Sequence, residues 1–451
     1  MGRQFAQSAP FMAGVVATLF AGLSSQLVYG ADLLEVYRLA QQSDPTFEIA
    51  RHGYEIAQEK LPQARAGNLP TVNLTGNRNY TNADLSFNGA TPANQGIYAW
   101  TWTLQLTQPI MRPQNVLAYY ESQGQVAAAQ AEYAQAEQDL ILRVAQAYFD
   151  VLAAQETALA AAAELQAMQA QQALARRGYE LGTMSITDSQ EARAKAEQAR
   201  AQLFNTQNEV ETKRVELEKL TGTPIETLAG LRPKAVPSLP EPADARPWIE
   251  QAKDNNPAVL ALQASLRAAG YTVTKARAGN FWTLDFVAST GTNYSSGSVV
   301  IPGSYESRVK SNVAGIQFAM PIFEGGMTGS RIREALANRD KLAAQLEEAR
   351  RKAGAEARTA YAGVVNGLSQ AEALQAAVEA GDSSVRGNQA GYKLGIRINS
   401  DVLSAQQQLF ASRRDWVKAR YDTLLAGLKL KAAAGVLSEQ DVLAVNGLLG
   451  H

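Results

Sequence analysis

Residues 98–107 alternate without a break. Tyr98, Trp100, Trp102, Leu104 and Leu106 fall on one side, and Ala99, Thr101, Thr103, Gln105 and Thr107 on the other. A period of two with aromatic residues at one end predicts a strand with one apolar face. Upstream, Val72 and Leu74 alternate with Asn73 and Thr75 over 71–81. The pattern returns late in the chain. Trp282, Leu284, Phe286 and Ala288 oppose Thr283, Asp285 and Ser289, and residues 309–320 supply a partner with Ile316, Phe318 and Met320 on one side. The stretches 84–96 and 295–306 are rich in Gly, Ser, Asn and Pro and predict exposed loops. Two hairpins result, at 69–111 and 281–323. Strands of about ten residues suit a tilted bilayer crossing. The same alternation also fits a half-buried sheet in a soluble domain; if the strands do cross a bilayer, four of them cannot close a barrel in lipid, where open edges are excluded, and several chains must build it together.

The stretches between change period. No Pro occurs between Pro113 and Pro224 or after Pro321, and both runs are dense in Ala, Gln, Glu, Arg and Leu, which are strong helix formers. Val126, Tyr133, Leu140 and Ala147 recur at sevens, as do Val144, Val151, Ala158 and Leu165, and Val378, Val385 and Tyr392. This is coiled-coil spacing. A helix over 113–180 would span on the order of 100 Å. Glycines at 178–183 and 391–395 predict hairpin turns, with partner helices returning to about 222 and 435. Residues 32–66 read as helix-rich, with a bend near Pro62.

The chain repeats itself. Ala64-Arg65-Ala66-Gly67-Asn68 recurs as Ala276-Arg277-Ala278-Gly279-Asn280, 212 positions on. Gln105-Leu106-Thr107-Gln108-Pro109-Ile110 answers Gln317-Phe318-Ala319-Met320-Pro321-Ile322. Gly178-Tyr179-Glu180-Leu181-Gly182 answers Gly391-Tyr392-Lys393-Leu394-Gly395 at an offset of 213. The expected organisation is a signal peptide over 1–30, one unit over 31–222, a Pro-rich linker or equatorial segment over 223–242, a second unit over 243–435 and a C-terminal equatorial tail over 436–451.

Composition narrows the chemistry. The 451 residues hold no Cys and two His, with 42 basic against 43 acidic side chains. Disulfides, thiolate nucleophiles and Cys-ligated metals are excluded, no metal site or cofactor is expected, and no basic excess points to nucleic acid. Phe11–Leu27 is apolar and Val28-Tyr29-Gly30 supplies small residues at the cleavage positions, which reads as a secretory signal removed after Gly30. No Cys follows, so the mature N-terminus carries no lipid.

Export, tandem repeat, strand hairpins and long helical hairpins together resemble the TolC family of outer-membrane channel-tunnels, or outer membrane factors. The resemblance lies in ordered segments across the mature chain: Leu106-Thr107-Gln108-Pro109-Ile110, Ala147-Tyr148-Phe149-Asp150-Val151-Leu152, and Gly178–Gly182 followed by Ile186-Thr187-Asp188. It continues in Pro321-Ile322-Phe323-Glu324-Gly325-Gly326, Gly391–Gly395 followed by Arg397 and Asp401-Val402-Leu403, and Glu439-Gln440-Asp441-Val442-Leu443-Ala444. It implies an α+β membrane protein: a homotrimer with a twelve-stranded β-barrel, four strands per protomer, continuous with a helical barrel through the periplasm.

The resemblance also implies site roles. Tyr98, Trp100, Trp102 and Trp282 are expected to face outer-membrane lipid, with Thr101, Thr103 and Asp285 towards water. Thr187, Asp188, Tyr392 and Arg397 match a periplasmic gate, and Asp401 a ring of carboxylates in the pore. Ser404 stands where the family often has a second acid, which weakens that ring. Gly178, Leu181, Gly182, Thr183, Gly391, Leu394 and Gly395 mark the tips on which a periplasmic adaptor protein would dock. The implied function is a passive exit duct driven by an inner-membrane ABC transporter in type I protein secretion, or by a proton-driven pump in small-molecule efflux. The missing lipidation Cys favours the first. A coiled-coil scaffold or adhesin is the alternative of another class. No motif supports an enzyme.

Overall fold

The computed structural model describes residues 30–86, 93–232, 239–298 and 305–450. The expected signal peptide lies outside them except for its last residue, Gly30. Each repeat runs from short helices through a strand pair into a long helical hairpin. The first comprises α1 (Leu33–Ser43), α2 (Pro45–Gln58), α3 (Lys60–Ala66), β1 (Thr71–Leu85), β2 (Ala93–Met111), α4 (Pro113–Glu180) and α5 (Ile186–Thr221). The second comprises α6 (Ala245–Asn255), α7 (Pro257–Arg277), β3 (Thr283–Ser295), β4 (Ser307–Ala319), α8 (Met327–Lys393) and α9 (Asn399–Ala433), and α10 (Glu439–Asn446) follows. Among the described residues no helix is long and apolar enough to cross a membrane.

The repeats differ where Pro differs. Pro62 has no N–H to offer the Gln58 carbonyl, and the helix breaks one turn earlier, at Glu59. The equivalent position in the second repeat is Thr274, and α7 runs unbroken for 21 residues. The strands extend further than alternation predicted, into both expected loops, because 93–97 and 307–308 find cross-strand partners. The second long helix begins only after Gly325 and Gly326, whose φ of 63° and 85° are left-handed.

The four strands form one antiparallel sheet in chain order, so β1 and β4 are its free edges. The long helices α4 and α8, of 68 and 67 residues, pack on α5 and α9 below and on the shorter helices α2, α3, α6 and α7 above. Small residues set the spacing. A methyl added at Gly124 of α4 would meet Ala268 of α7 at 2.8 Å.

The main core lies at the waist. The Ala147–Leu152 segment fills it, with Tyr148 and Phe149 at most 2% exposed, together with Leu33 and Val36 of α1 and Leu424 and Leu428 of α9. The expected linker takes part. Ala229 and Leu231 are buried there, Leu228 bridges to Ala31, and Leu231 bridges to Leu449 of the tail. The Tyr148 hydroxyl lies 2.7 Å from the Ala229 carbonyl and 3.1 Å from that of Ala31. Burial raises its pKa, so it stays a donor. Asn446 accepts from the Leu33 N–H at 3.0 Å and donates to Asp32 at 2.8 Å. Beside the core, Asp44 binds Arg143 at 2.6 Å. Burial alone would raise that carboxyl, but Arg143 and the N–H groups of Phe47 and Thr46 together hold it below the usual range.

Candidate functional site: the sheet faces and the paired helical tips

The cross-strand register sorts the sheet into two faces. Val72, Leu74, Trp100, Trp102, Leu104, Leu106, Leu284, Phe286, Ile316 and Phe318 share one; Thr71, Asn73, Thr75, Thr101, Thr103, Gln105, Ser289, Asn293 and Gln317 share the other. Every described position of β4 is exposed on both faces. Tyr98, Trp102 and Trp282 are exposed on the apolar face at 53, 40 and 37%, and Trp100 is half-buried by stacking on Tyr294.

Asp285 departs from expectation. It points to the polar side but is only 6% exposed. Arg112, between β2 and α4, grips it with Nε and Nη2 at 2.7 and 2.6 Å. This bidentate pair sits at the register shift between Pro109 and Met111, where the sheet turns into helix. It clamps strand to helix, so the Asp285 carboxylate on the polar side is paired rather than free.

At the opposite end the two helical hairpins close with one construction. In the first, the Gly182 N–H binds the Tyr179 carbonyl at 2.9 Å and the Thr183 N–H binds the Gly178 carbonyl at 2.8 Å. In the second, Gly395 binds Tyr392 at 3.0 Å and Ile396 binds Gly391 at 2.9 Å. Both are Schellman caps, which need a left-handed residue; Gly182 and Gly395 supply it at φ 74° and 70°. Gly178 and Gly391 are glycine for a different reason. A methyl would meet the Met184 sulfur at 2.6 Å in one and the Arg397 Cγ at 2.8 Å in the other. The caps leave Leu181, Leu394, Ile396 and Ile398 between 64 and 75% exposed.

The expected gate residues do not form one hydrogen-bonded set within the protomer. Asp188 is committed to its own helix: it accepts from the Ser185 N–H at 3.1 Å and hydroxyl at 2.8 Å, while its N–H donates back to Ser185 at 3.1 Å. This is a capping box. Thr187 is exposed. Arg397, just before α9, faces Asp401 in its first turn at 3.7 Å. Tyr392 reaches across to the first tip, but its hydroxyl meets the Met184 sulfur, at 3.2 Å. Met184, in the expected docking tip, is not among the expected gate residues, and a thioether opposite a phenol leaves no charge pattern to find. Just above the tips, Gln171 donates to Asn399, and both are buried with Leu403 and Met168 nearby. His52 lies far away on exposed α2, between Glu48 and Glu55.

The outer membrane efflux protein family model matches the chain twice, over residues 36–223 and 248–436. The chain belongs to that family. The two matches coincide with the two repeats. The chain is 30% identical to the outer membrane protein TolC of Escherichia coli (strain K12), over 98% of this chain and 88% of that one. It is 28% identical to the proteases secretion protein PrtF of Dickeya chrysanthemi, over 95% and 93%. Its fold matches the CmeC outer membrane channel of Campylobacter jejuni with a TM-score of 0.75 at 17% identity, covering 99% and 98%. The four-stranded sheet is thus one third of a twelve-stranded barrel that three copies close. The protein resides in the outer membrane, with its helices in the periplasm.

Proposed function

We propose that this chain is the outer-membrane exit duct of a type I protein secretion machine. The observation that carries it is full-length similarity to a protease secretion protein, on a fold whose sheet has one apolar and one polar face. The apolar face meets lipid, with Tyr98, Trp100, Trp102 and Trp282 at its interfaces. The polar face of Thr, Asn, Gln and Ser lines the water-filled passage. Energy comes from an inner-membrane ABC transporter, joined through a periplasmic adaptor. That adaptor docks on Leu181, Gly182 and Thr183 of one tip and Leu394 and Gly395 of the other. The exposed apolar side chains that both caps present support this surface.

The tips form the gate. Arg397, Tyr392, Thr187 and Asp188 restrain neighbouring helices, and three Asp401 carboxylates ring the constriction and favour cations. Exposed ion pairs contribute roughly 0–1 kcal/mol each, weak enough for a docking partner to overcome.

Two measurements test this. In a secretion-deficient host supplied with a protease, its ABC transporter and its adaptor, the chain is expected to restore protease release. Restored drug resistance without protease release would move it to small-molecule efflux. In planar bilayers, Arg397→Ala with Tyr392→Phe is expected to raise single-channel conductance severalfold. Unchanged conductance would remove these residues from the gate.

A further inference from the structure

The apolar sheet face ends, on the side away from the helices, in a row of different chemistry. Arg78, Trp100, Tyr294 and Arg308 lie opposite one another, one from each strand. The Trp100 and Tyr294 rings stack at 5.6 Å and 17°. The Arg308 guanidinium sits 5.9 Å from the Tyr294 ring centre. Lys310 is two positions inward on the same face, and the Tyr80 and Tyr98 rings touch two positions outward, at 4.7 Å. Arg78, Arg308 and Lys310 are all exposed and, among the described residues, form no ion pair. Glu306, the next outward residue on that face, is turned to the Tyr294 hydroxyl.

The height of this row follows from the strand. At its other end the same face carries Trp282, 5.9 Å from Phe318. Trp282 lies twelve residues before Tyr294. At about 3.4 Å per residue and a tilt of roughly 40°, that separation spans about 30 Å, the thickness of the hydrocarbon core. The two aromatic groups therefore mark its two boundaries; Arg78 and Arg308 stand at the outer one, and Lys310 lies two residues below it, within reach of the headgroup level by its long side chain. Barrel closure adds a second feature. With strand order β1 to β4, the β4 edge of one copy adjoins the β1 edge of the next. Arg308 and Lys310 of one protomer thus border the same seam as Arg78 of its neighbour.

We propose that each seam binds the phosphate groups of an anionic outer-leaflet lipid. The inference rests on the reading that the apolar face meets lipid. Planar guanidinium groups suit phosphate geometry, Lys310 adds a third cation, and the stacked Trp100–Tyr294 pair offers a rigid amphipathic floor for the headgroup.

The test uses the purified trimer in vesicles of neutral phosphatidylcholine doped with diphosphoryl lipid A, with bound glycolipid counted by native mass spectrometry. The wild type is expected to retain about three per trimer, one for each symmetric seam. Removing a cation is expected to weaken retention about fivefold, and R78Q/R308Q/K310Q together on the order of a hundredfold. Dephosphorylated lipid A should not be retained, and excess inorganic phosphate should not displace the lipid. Equal retention by the triple variant, or displacement by free phosphate, overturns the proposal. Should the triple variant fail to form a heat-modifiable trimer, K310Q alone must still weaken retention about fivefold, and unchanged retention by it also overturns the site. Brominated acyl chains should quench Trp102, seen as the signal lost in Trp102→Phe. Quenching without lipid A retention sinks this site alone, whereas no quenching sinks the lipid-facing assignment beneath it.

Discussion

The two helical tips share a C-cap and differ at the N-cap that follows. Position by position, at the offset of 213, Gly178, Tyr179, Leu181 and Gly182 answer Gly391, Tyr392, Leu394 and Gly395. The same two carbonyl bonds and the same left-handed glycine end both long helices. The return helices then start differently. Ser185 caps α5 and draws Asp188 into a reciprocal box. Its counterpart is Ile398, which has no side-chain cap to give, and Asp401, the counterpart of Asp188, faces Arg397 instead. Arg397 in turn occupies the position of Met184. One tip is a closed local unit. The other keeps an acid and a base that the backbone does not use. The turn itself is a shared scaffold, and a single hydroxyl decides whether the acid is a structural cap or stays available to a pore.

The largest expected effect falls on the shared part. Gly182→Ala and Gly395→Ala should each destabilise their tip by about 1–2 kcal/mol, since an L-residue is strained in the left-handed region. Faster amide exchange in peptides covering 174–190 and 387–403 would register it. A tip that accepts Ala freely would break the equivalence. Ser185→Ala comes next, costing the start of α5 about 1 kcal/mol, while Ile398→Ala should leave the start of α9 unchanged within about 0.3 kcal/mol, because no cap bond is lost. Equal exchange responses would show that capping is not what separates the tips. Ile398→Ser attempts the conversion. It should slow exchange at the start of α9 by about 0.5–1 kcal/mol and, by drawing Asp401 onto the backbone, lower the cation preference of the channel measured as reversal potential in a salt gradient. The smallest stability effect belongs to Arg397→Ala. Its exposed pair contributes at most about 0.5 kcal/mol, so thermal stability should hold while conductance changes.

Much of this architecture was legible from pattern alone. The 212–213 offset, the alternation around Trp100 and Trp102, and the Pro-free run closing at Gly178 led to the repeats, the sheet and a helix whose 113–180 bounds match α4. Pro62 marked its break. The capping box was also open to view, since Ser185 precedes Asp188 by three residues, but the family likeness directed attention to a gate contact instead. Other features left no local signal. The prolines of 223–242 mark a linker or equatorial segment, but they do not reveal that Ala229 and Leu231 are buried where Tyr148 and Leu449, distant in sequence, meet them. Asp285 alternated correctly, yet its burial depends on Arg112, 173 residues away. The Met184–Tyr392 contact likewise needs two hairpins brought together. Periodicity reports which way a residue points along its own element, and says nothing of what meets it there.

The waist has a mechanical consequence. Segments from the N-terminus, the middle and the C-terminus are all pinned around Tyr148, so α4 is held at that level and runs below it, packed on α5, as one stiff arm. From Tyr148 to Gly178 the arm is roughly 45 Å long at 1.5 Å per residue. A rotation of about 10° at the fulcrum carries the tip roughly 8 Å on that geometry. Under the proposed gating, a docking protein would have no need to unpack the core to widen the passage. It has only to tilt stiff rods whose pivots stay buried.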